Sequence, residues 1–396
     1  MVNEKLGQGS NLAAAPKSEM RSSGQGDVPS FGTGSSYEDD VAVAIRAVTL
    51  ASRLCQAVQR KLLSKETQAK ADKSPVTVAD YGSQALVSWV LQRESLVDRA
   101  ALRFSMVAEE DSEDLRTEDG SAMLERITQL VNETIAADGS FGPVTLSKDD
   151  VLTAIDRGSS PGGPDGRHWV LDPIDGTRGF VRGDQYAVAL GLLENGKVVA
   201  GVLGCPNLPL ASIGPNGAVS SDKSTGCLFA ASKGAGTTMH TMDGSLTAQK
   251  VHVSDVCDSK WAAFCESYEA AHSKQDLTAN IARILGVSAP PIRIDSQCKY
   301  GAMARGDAVI YLRFPHAGYR EKIWDHAAGS IVITEAGGEV FDAAGKALDF
   351  SKGRFLDLEH GIVATNSHLK DAVLAAVQTA IKEEQNVPKG ESSSHL

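Results

Sequence analysis

The spacing of apolar residues predicts a long amphipathic helix near the start of the chain. The segment SYED at 36–39 has the form of a capping box, and apolar residues then recur at helical spacing from Val41 to Leu62. A second helical pattern runs from about residue 79 to residue 96. Residues 1–36 are rich in Ser and Gly and poor in large apolar residues, so we predict that they are disordered.

Short apolar runs that end in acidic residues predict buried strands. The run 104–108 ends in Glu109, and the run 167–171 ends in Asp172. Two further apolar runs flank the E-N-G sequence at 194–196, which is typical of a β-hairpin. This part of the chain therefore has the pattern of an α+β unit.

From about Cys205 onward, short strand patterns alternate with helical ones, which predicts an α/β unit. Strands are predicted at 261–265, 291–294, 308–312 and 361–364, and helices at 276–285, 296–305, 323–336 and 369–381. The predicted divisions are a disordered extension (1–36), an α+β domain (37–205), an α/β domain (206–382) and a disordered tail (383–396).

Composition and charge argue against some classes of protein. The chain has 396 residues, of which 42% are apolar and 22% charged, as in ordinary globular proteins. Its 39 Lys and Arg residues against 50 Asp and Glu residues give a net charge of -11, which argues against a nucleic-acid polymer as partner. No window approaches 18 uninterrupted apolar residues, so we expect no membrane-spanning segment. The sequence predicts no particular oligomeric state.

The first 36 residues leave the compartment open. They are Ser-rich and contain Lys5, Lys17 and Arg21, as an organelle-targeting extension would, but three acidic residues weigh against a transit peptide. We expect a chloroplast or mitochondrial location if the extension is a transit peptide, and a cytoplasmic one otherwise.

The six cysteines lie far apart and include no C-x-x-C pair, which argues against a zinc site of the usual spacing. Scattered thiols are typical of a reducing compartment. Cys205 and Cys227 flank a stretch rich in Gly, Ser, Asn and Pro that could bend back on itself. These two are either ordinary thiols or a redox-sensitive disulfide.

The strongest chemical signal is D-P-I-D-G-T at 172–177. Its two carboxylates lie three residues apart, and the rigid proline lets both point to one spot with the Ile174 carbonyl between them. Such oxygen ligands suit a hard cation such as Mg²⁺. Gly176 permits an unusual φ, so the following backbone N–H groups could form an anion site at a helix start. An acidic turn is the alternative, but the apolar strand before the motif favours the metal site.

Three other acidic residues lie where strands end or helices begin. Glu109 follows a predicted strand, whereas Asp80 and Asp325 each stand at the start of a predicted helix. Taken singly, they could be a solvated turn and two helix caps. Taken together with Asp172 and Asp175, they are residues that a fold can gather into one site.

Three motifs in this order resemble the inositol monophosphatase superfamily of Mg²⁺-dependent, lithium-sensitive phosphatases. They are V-A-E-E at 107–110, W-V-L-D-P-I-D-G-T at 169–177, and W-D-H-A-A-G at 324–329 with E-A-G-G at 335–338. Within it, the segments 74–84, 295–301 and 319–326 resemble the plant and fungal type of 3'(2'),5'-bisphosphate nucleotidases. The resemblance covers residues 38–381, and the 63 residues from Glu109 to Asp172 exceed the shorter connection of small inositol monophosphatases.

The resemblance implies an α+β fold of αβαβα layers and phosphate-ester hydrolysis by water with two or three Mg²⁺ ions. It implies that the domain at 37–205 carries most metal ligands and that the domain at 206–382 completes the site. The implied metal ligands are Glu109, Asp172, the Ile174 carbonyl, Asp175 and Asp325. The implied pair that activates the water is Asp80 and Thr177. The implied substrate contacts are Thr177, His272, Ser296, Lys299, Arg313 and Asp325, of which Lys299 and Arg313 would hold a phosphate that is not cleaved. Solvated charges are the alternative for that pair, and a surface or capping histidine is the alternative for His272.

The expected function is hydrolysis of 3'-phosphoadenosine 5'-phosphate to AMP, and of the corresponding phosphosulfate to adenosine phosphosulfate. The expected partner is therefore a small phosphorylated nucleotide, and inositol 1,4-bisphosphate is a further candidate. The alternatives are a dedicated inositol polyphosphate 1-phosphatase, a sugar bisphosphatase, and an inactive phosphonucleotide sensor. The presence of every implied carboxylate argues against an inactive protein.

Overall fold

The computed structural model describes residues 37–64, 74–94, 105–214, 224–245, 247–268, 274–316, 318–358 and 360–386. The predicted disordered extension, His272 and the chain after 386 lie outside these residues. Residues 383–386, predicted to begin a disordered tail, instead end the last helix.

The described chain contains both α-helices and β-strands. The α-helices are α1 (Glu38–Ser64), α2 (Ser74–Glu94), α3 (Ser121–Asp138), α4 (Lys148–Asp156), α5 (Thr177–Arg182), α6 (Gln275–Leu285), α7 (Cys298–Ala304), α8 (Ala327–Glu335) and α9 (Lys370–Asn386). The strands are β1 (Met106–Ala108), β2 (Arg167–Asp175), β3 (Ala187–Glu194), β4 (Lys197–Pro209), β5 (Thr225–Ser232), β6 (Gly236–Thr241), β7 (Gln249–Val251), β8 (Phe264–Glu266), β9 (Ile292–Arg293), β10 (Ile310–Arg313), β11 (Gly338–Asp342) and β12 (Ile362–Asn366).

The first sheet has seven strands in the order β1-β2-β3-β4-β5-β6-β7. β1 pairs parallel to β2, and Ala108 lies opposite Leu171, so Glu109, which follows β1 directly, comes beside Asp172 of β2. The other pairs are antiparallel, and the predicted β3–β4 hairpin is confirmed. The expected change to alternating strands and helices after Cys205 is wrong for β5–β7, because β4 continues past this residue and provides the edge on which β5 pairs. The predicted domain division between residues 205 and 206 falls inside β4, and where the domains divide stays a prediction.

The second sheet has five strands in the order β11-β12-β10-β8-β9. α1 packs on one face of the first sheet, and α8 packs between its other face and β11 of the second sheet. α9 contacts β12 and pairs with α6 on the outer side. These layers confirm the predicted α+β fold of the αβαβα type.

The long helix α1 is the one described helix that is long and apolar enough to cross a membrane. Its apolar face, which includes Val48, Ala51 and Leu54, is buried against α2 and the first sheet. A buried apolar face of this kind is typical of a core helix. The absence of a membrane partner stays a prediction.

Two helix starts differ from the predicted ones, and both differences concern acidic residues. α2 begins at Ser74, so Asp80 lies in its second turn rather than at its start. α8 begins at Ala327, so Asp325 precedes the helix in a loop. Neither carboxylate is therefore explained as a first-turn helix cap.

Candidate active site

A cavity of about 420 Å³ gathers most of the residues that the sequence motifs single out. The predicted residues that line it are Glu109, Asp172, Ile174, Asp175, Thr177, Ser296, Lys299, Arg313 and Asp325. They come from the ends of β1 and β2, the start of α5, the segment around the start of α7, β10 and the loop before α8. Residues far apart in sequence thus meet where the two sheets contribute to one site.

The D-P-I-D-G-T segment forms an irregular strand end. The register of β2 against β3 shifts between Asp172 and Asp175, where proline offers no N–H to the ladder. The Asp172 Oδ1 atom accepts a hydrogen bond of 3.1 Å from the Ile174 N–H. Gly176 has φ 88°, and a Cβ at this position would lie 2.8 Å from the Ser296 Cβ. Glycine is therefore required both by the turn and by the close approach of the second wall.

Two side chains of α2 hold the acidic loops in place. The Ser83 hydroxyl donates to the Pro173 carbonyl at 2.9 Å, next to Asp172. The Gln84 side-chain amide donates to the Glu110 carbonyl at 2.7 Å and accepts from the Glu110 N–H at 3.1 Å. Both residues stand in the 74–84 motif, but their pairing with these loops could not be inferred from local spacing.

The carboxylates of the cavity raise each other's pKa. Burial raises the pKa of Asp172 well above its usual range, and the charges of Glu109 and Asp175 raise it further. Burial and the charge of Asp175 likewise raise the pKa of Asp325. Loss of hydration and the charge of Asp175 raise the pKa of Glu109, although Lys322 and Arg354 oppose this rise. Such a cluster of oxygen ligands with like charge fits a hard divalent cation, which would relieve the repulsion.

Asp80 stands beside this cluster, although it is not among the residues that line the cavity. Burial raises its pKa well above the usual range, and the charges of Glu110 and Glu109 add to the rise. Its charge in turn contributes to the raised pKa of Asp172. Thr177 does line the cavity, and its hydroxyl lies 3.5 Å from the Ile174 carbonyl oxygen. The roles of Asp80 and Thr177 stay predictions.

The carboxylates form the acidic wall of the cavity, and Lys299 of α7 and Arg313 of β10 form its basic wall. Lys299 is only 3% exposed, and its Nζ atom donates to the Ile294 carbonyl at 3.3 Å and lies 5.3 Å from the centre of the Tyr311 ring. Burial lowers the pKa of Lys299 below its usual value, although the charge of Asp175 partly opposes this effect. These contacts show that Lys299 is an ordered cation inside the cavity rather than a solvated surface charge.

Gln297, which was not among the predicted site residues, connects Asp175 to the loop that carries Asp325. Its backbone N–H donates to the Asp175 carboxylate. Its side-chain amide donates to the Trp324 carbonyl at 2.8 Å and accepts from the Gly329 N–H at 3.0 Å. Gln297 thus fixes Asp175 relative to the loop that carries Asp325. It stands in the 295–301 motif, which is the signal that could have identified it.

Arg313 begins a chain of buried polar contacts. Its Nε atom donates to Glu321 Oε1 at 2.6 Å, and Glu321 Oε2 lies 3.1 Å from Nε2 of His326. The His326 Nδ1 atom lies 2.8 Å from the Tyr300 hydroxyl. Burial raises the pKa of Glu321, but hydrogen bonds from His326 and Arg313 outweigh it and lower this pKa to about 2. Glu321 and His326 stand in the 319–326 motif, but neither was among the predicted site residues.

Cys205 and Cys227 lie directly opposite each other in the register of β4 and β5. Both are buried free thiols in this structure. Burial raises the pKa of Cys227 to about 12, although nearby Arg305 lowers it. The cross-strand position is compatible with both alternatives, two ordinary thiols and a redox-sensitive disulfide, and the choice between them stays open.

Comparison with known proteins defines the class to which this fold and site belong. A sequence profile of the inositol monophosphatase family matches residues 37–382, and the chain belongs to this family. The superfamily resemblance drawn from the motifs is confirmed.

Two plant relatives are similar over nearly their whole length. The chain is 62% identical over 351 residues to a 3'(2'),5'-bisphosphate nucleotidase of Oryza sativa, which covers 89% of this chain and 97% of the relative. It is 61% identical over 350 residues to 3'(2'),5'-bisphosphate nucleotidase 1 of Arabidopsis thaliana, with 88% and 98% covered.

Solved structures agree with the fold. The extragenic suppressor protein suhB of Bartonella henselae superposes with a TM-score of 0.52 at 18% identity, with 86% of this chain and 98% of that chain covered. An inositol monophosphatase of Zymomonas mobilis gives a TM-score of 0.51 at 19% identity, with 87% and 100% covered. At such identities these similarities concern the fold alone.

Proposed function

We propose that this protein is a metal-dependent phosphomonoesterase that removes the 3'-phosphate of 3'-phosphoadenosine 5'-phosphate and leaves AMP. We extend the proposal to the corresponding phosphosulfate, which would give adenosine phosphosulfate. The observation that carries it is one cavity lined both by a carboxylate cluster and by the ordered cations Lys299 and Arg313. A substrate with two phosphates matches a lining of this kind. The names of relatives at 54–62% identity support the same substrate class.

The carboxylate wall fits divalent cations, and we propose two or three Mg²⁺ ions there. The residues that would hold them are Glu109, Asp172, the Ile174 carbonyl, Asp175 and Asp325. When bound, these ions would supply charge neutralisation for the phosphate and Lewis-acid activation for the attack of water. This division of labour agrees with phosphoryl transfer, which depends more on positioning and charge than on a covalent intermediate.

The protein's own groups would orient the water and the substrate. Asp80 lies beside the cluster, and burial raises its pKa, which makes its carboxylate more basic than an ordinary aspartate. It would accept the proton of the attacking water, with the Thr177 hydroxyl as the polar partner. Lys299, Arg313 and Ser296 would hold the 5'-phosphate away from the carboxylates, where it is not cleaved. His272, which would contact the nucleotide, lies outside the described residues.

Inositol 1,4-bisphosphate remains a second candidate substrate, because it also carries two separated phosphates. A dedicated inositol polyphosphate phosphatase and an inactive sensor stay the alternatives. The compartment stays a prediction too: chloroplast or mitochondrion if residues 1–36 are a transit peptide, and cytoplasm otherwise.

A phosphate-release assay on the full chain tests the proposal. The panel contains 3'-phosphoadenosine 5'-phosphate, its phosphosulfate, adenosine 3'-monophosphate, AMP, inositol 1,4-bisphosphate and fructose 1,6-bisphosphate, each with Mg²⁺ and with a chelator. We expect the highest kcat/KM for the bisphosphate nucleotide and none for AMP. A higher kcat/KM for the inositol phosphate would favour the inositol phosphatase, and no release from any substrate would favour the sensor.

A further inference from the structure

The proposed function assigns no role to the series of buried contacts that runs from Arg313 through Glu321 and His326 to Tyr300. The central residue of this series is Glu321, whose side chain is 1% exposed and whose two oxygens each contact a different partner. One oxygen contacts Arg313 Nε at 2.6 Å and the other contacts His326 Nε2 at 3.1 Å. With both oxygens engaged, the carboxylate cannot rotate without breaking a contact, which fixes its orientation.

The far end of the chain is also fixed. The Tyr300 hydroxyl lies 2.8 Å from His326 Nδ1, and its ring meets the Tyr311 ring edge-on with centroids 5.2 Å apart. Its other side packs so closely on the backbone of Gly329 in α8 that there is no room for a Cβ at that glycine. Tyr311 and Arg313 belong to the same strand, β10. The contacts therefore run from Arg313 through Glu321 and His326 to Tyr300 of α7, and from Tyr300 back to Tyr311 of β10.

Glu321 restricts the side chain of Arg313 through its Nε atom. A free arginine side chain samples many rotamers, and ordering it costs conformational entropy. Because Glu321 accepts from Nε, this hydrogen bond does not involve the two terminal NH₂ groups. It nevertheless fixes the plane of the guanidinium group. Arg313 lines the cavity, where a planar donor pair of known orientation can bind two oxygens of one phosphate.

Glu321 also lies four residues before Asp325, in the same loop. The loop that supplies a proposed metal ligand therefore also orients the arginine. This loop would thereby set the separation between the phosphate that is cleaved and the one that is held. Glu321, Asp325 and His326 could themselves form a three-ligand metal group, since their ligand atoms lie within 4.8 Å. The existing contacts of Glu321 with Arg313 and His326 argue against that use.

We infer that Glu321 is a specificity-determining positioning residue, which orients Arg313 to bind the second phosphate of a bisphosphate substrate. This inference rests on the proposed function, because it requires that Arg313 binds a phosphate that is not cleaved. It adds that the preference for bisphosphates depends on a side chain that does not itself need to touch the substrate.

The test compares two substrates with four full-chain variants. The substrates are 3'-phosphoadenosine 5'-phosphate and adenosine 3'-monophosphate, and kcat, KM, Mg²⁺ dependence and melting temperature are measured for each protein. The variants are Arg313→Lys, Glu321→Ala, the isosteric Glu321→Gln, and Arg320→Ala as the control. Arg320 adjoins Glu321 in sequence, but its ion pair with Asp357 is exposed. We therefore expect Arg320→Ala to leave kcat and KM unchanged for both substrates.

We expect Glu321→Ala to raise KM for the bisphosphate about ten- to hundredfold, and Glu321→Gln about three- to tenfold, because the amide keeps an acceptor but loses the charge. Turnover of the monophosphate and Mg²⁺ dependence should stay at the wild-type level. If Glu321→Ala does not fold, Glu321→Gln decides the matter alone.

The outcomes separate this inference from the proposed function. If Arg313→Lys raises KM selectively for the bisphosphate but Glu321→Gln matches the wild type or affects both substrates equally, the positioning role is wrong and the proposed function stands. If Arg313→Lys shows no selectivity, then Arg313 does not bind the second phosphate, and both the inference and that part of the proposed function are overturned.

Discussion

The two walls of the cavity differ in how far the protein satisfies its own charges. On the acidic wall, burial and mutual repulsion raise the pKa of Asp172 and Asp325. On the basic wall, Lys299 donates to a backbone carbonyl and Arg313 pairs with Glu321. The acidic wall is thus incomplete without a cation, whereas the basic wall is organised before any ligand arrives.

This difference assigns the two walls different tasks. A cluster of like charges in a poorly hydrated site binds a cation strongly because the cation relieves the repulsion. A pre-paired cation gains less from a new anion, but it presents fixed donors at little entropic cost. We therefore expect changes to the acidic wall to affect turnover of every substrate, and changes to the basic wall to affect the choice among substrates.

Metal removal should have the largest effect, because it leaves the whole acidic wall without its counter-charge. We expect a chelator to abolish phosphate release, Mg²⁺ to restore it, and Li⁺ to inhibit it, as is typical of the family. Phosphate release from the bisphosphate nucleotide is measured across a Mg²⁺ titration with and without Li⁺. Full activity in the chelator would contradict the assignment of this wall.

Asp175→Asn should come next, with a loss of kcat of roughly a thousandfold, because metal-ion stabilisation of the transition state amounts to several kcal/mol. The metal-free variant should melt at the same temperature as the wild type or slightly higher, since one repelling charge is gone. Phosphate release and thermal melting are measured together. Wild-type turnover in a folded variant would show that Asp175 is not a ligand.

Lys299→Ala should separate substrates rather than abolish turnover. Loss of a charge-assisted contact worth roughly 1.5–3 kcal/mol predicts about a ten- to hundredfold lower kcat/KM for the bisphosphate. Adenosine 3'-monophosphate lacks the 5'-phosphate and should be hydrolysed about equally by variant and wild type. The exposed Lys250 provides a matched control as Lys250→Ala. Equal losses on both substrates would instead indicate a role of Lys299 in the fold or the metal site.

The acidic wall could be predicted from the sequence far better than the contacts that hold it. Glu109 and Asp172 follow apolar runs directly, and neighbouring parallel strands bring their ends together, so local pattern is enough to place them. Gln297 bonds to Gly329 across 32 residues, and Ser83 to Pro173 across 90. Partners at such separations depend on how the sheets and helices pack, which spacing along one sequence does not contain.

The same contrast explains why the prediction of alternating strands and helices was wrong for β5–β7. β5 follows a stretch rich in Gly, Ser and Pro, which interrupts the pattern of the sheet in sequence. Its pairing depends on β4, where Ala200 to Cys205 pair with β5 along the edge that β3 leaves open. The αβαβα layers were nevertheless predictable, because the family motifs imply them without reference to these strands.

The smallest expected effect is on stability as a function of pH. Carboxyl groups whose pKa is raised in the folded protein, including Glu110 at about 7, bind more protons folded than unfolded between about pH 4 and their raised values. The free energy of unfolding of the metal-free protein should therefore fall as pH rises through this window. Each kcal/mol should lower the melting temperature by at most about 2–4 °C, because this shift becomes smaller as the chain becomes longer.

Bound Mg²⁺ should flatten this slope, because carboxylates that hold a cation are already ionised in the folded state. The measurement is the melting temperature between about pH 5 and pH 8, in chelator and in saturating Mg²⁺. Taking the difference between the two curves removes groups outside the site, such as histidines that do not line the cavity, whose titration both curves share. We expect the stabilisation by Mg²⁺ to increase with pH, and to increase less in Asp175→Asn, which has one carboxylate fewer. If the melting temperature of the metal-free protein instead depends on pH in the same way as that of the Mg²⁺-bound protein, the carboxylates of the acidic wall do not destabilise the fold by repelling each other. The contrast between the two walls would then be wrong.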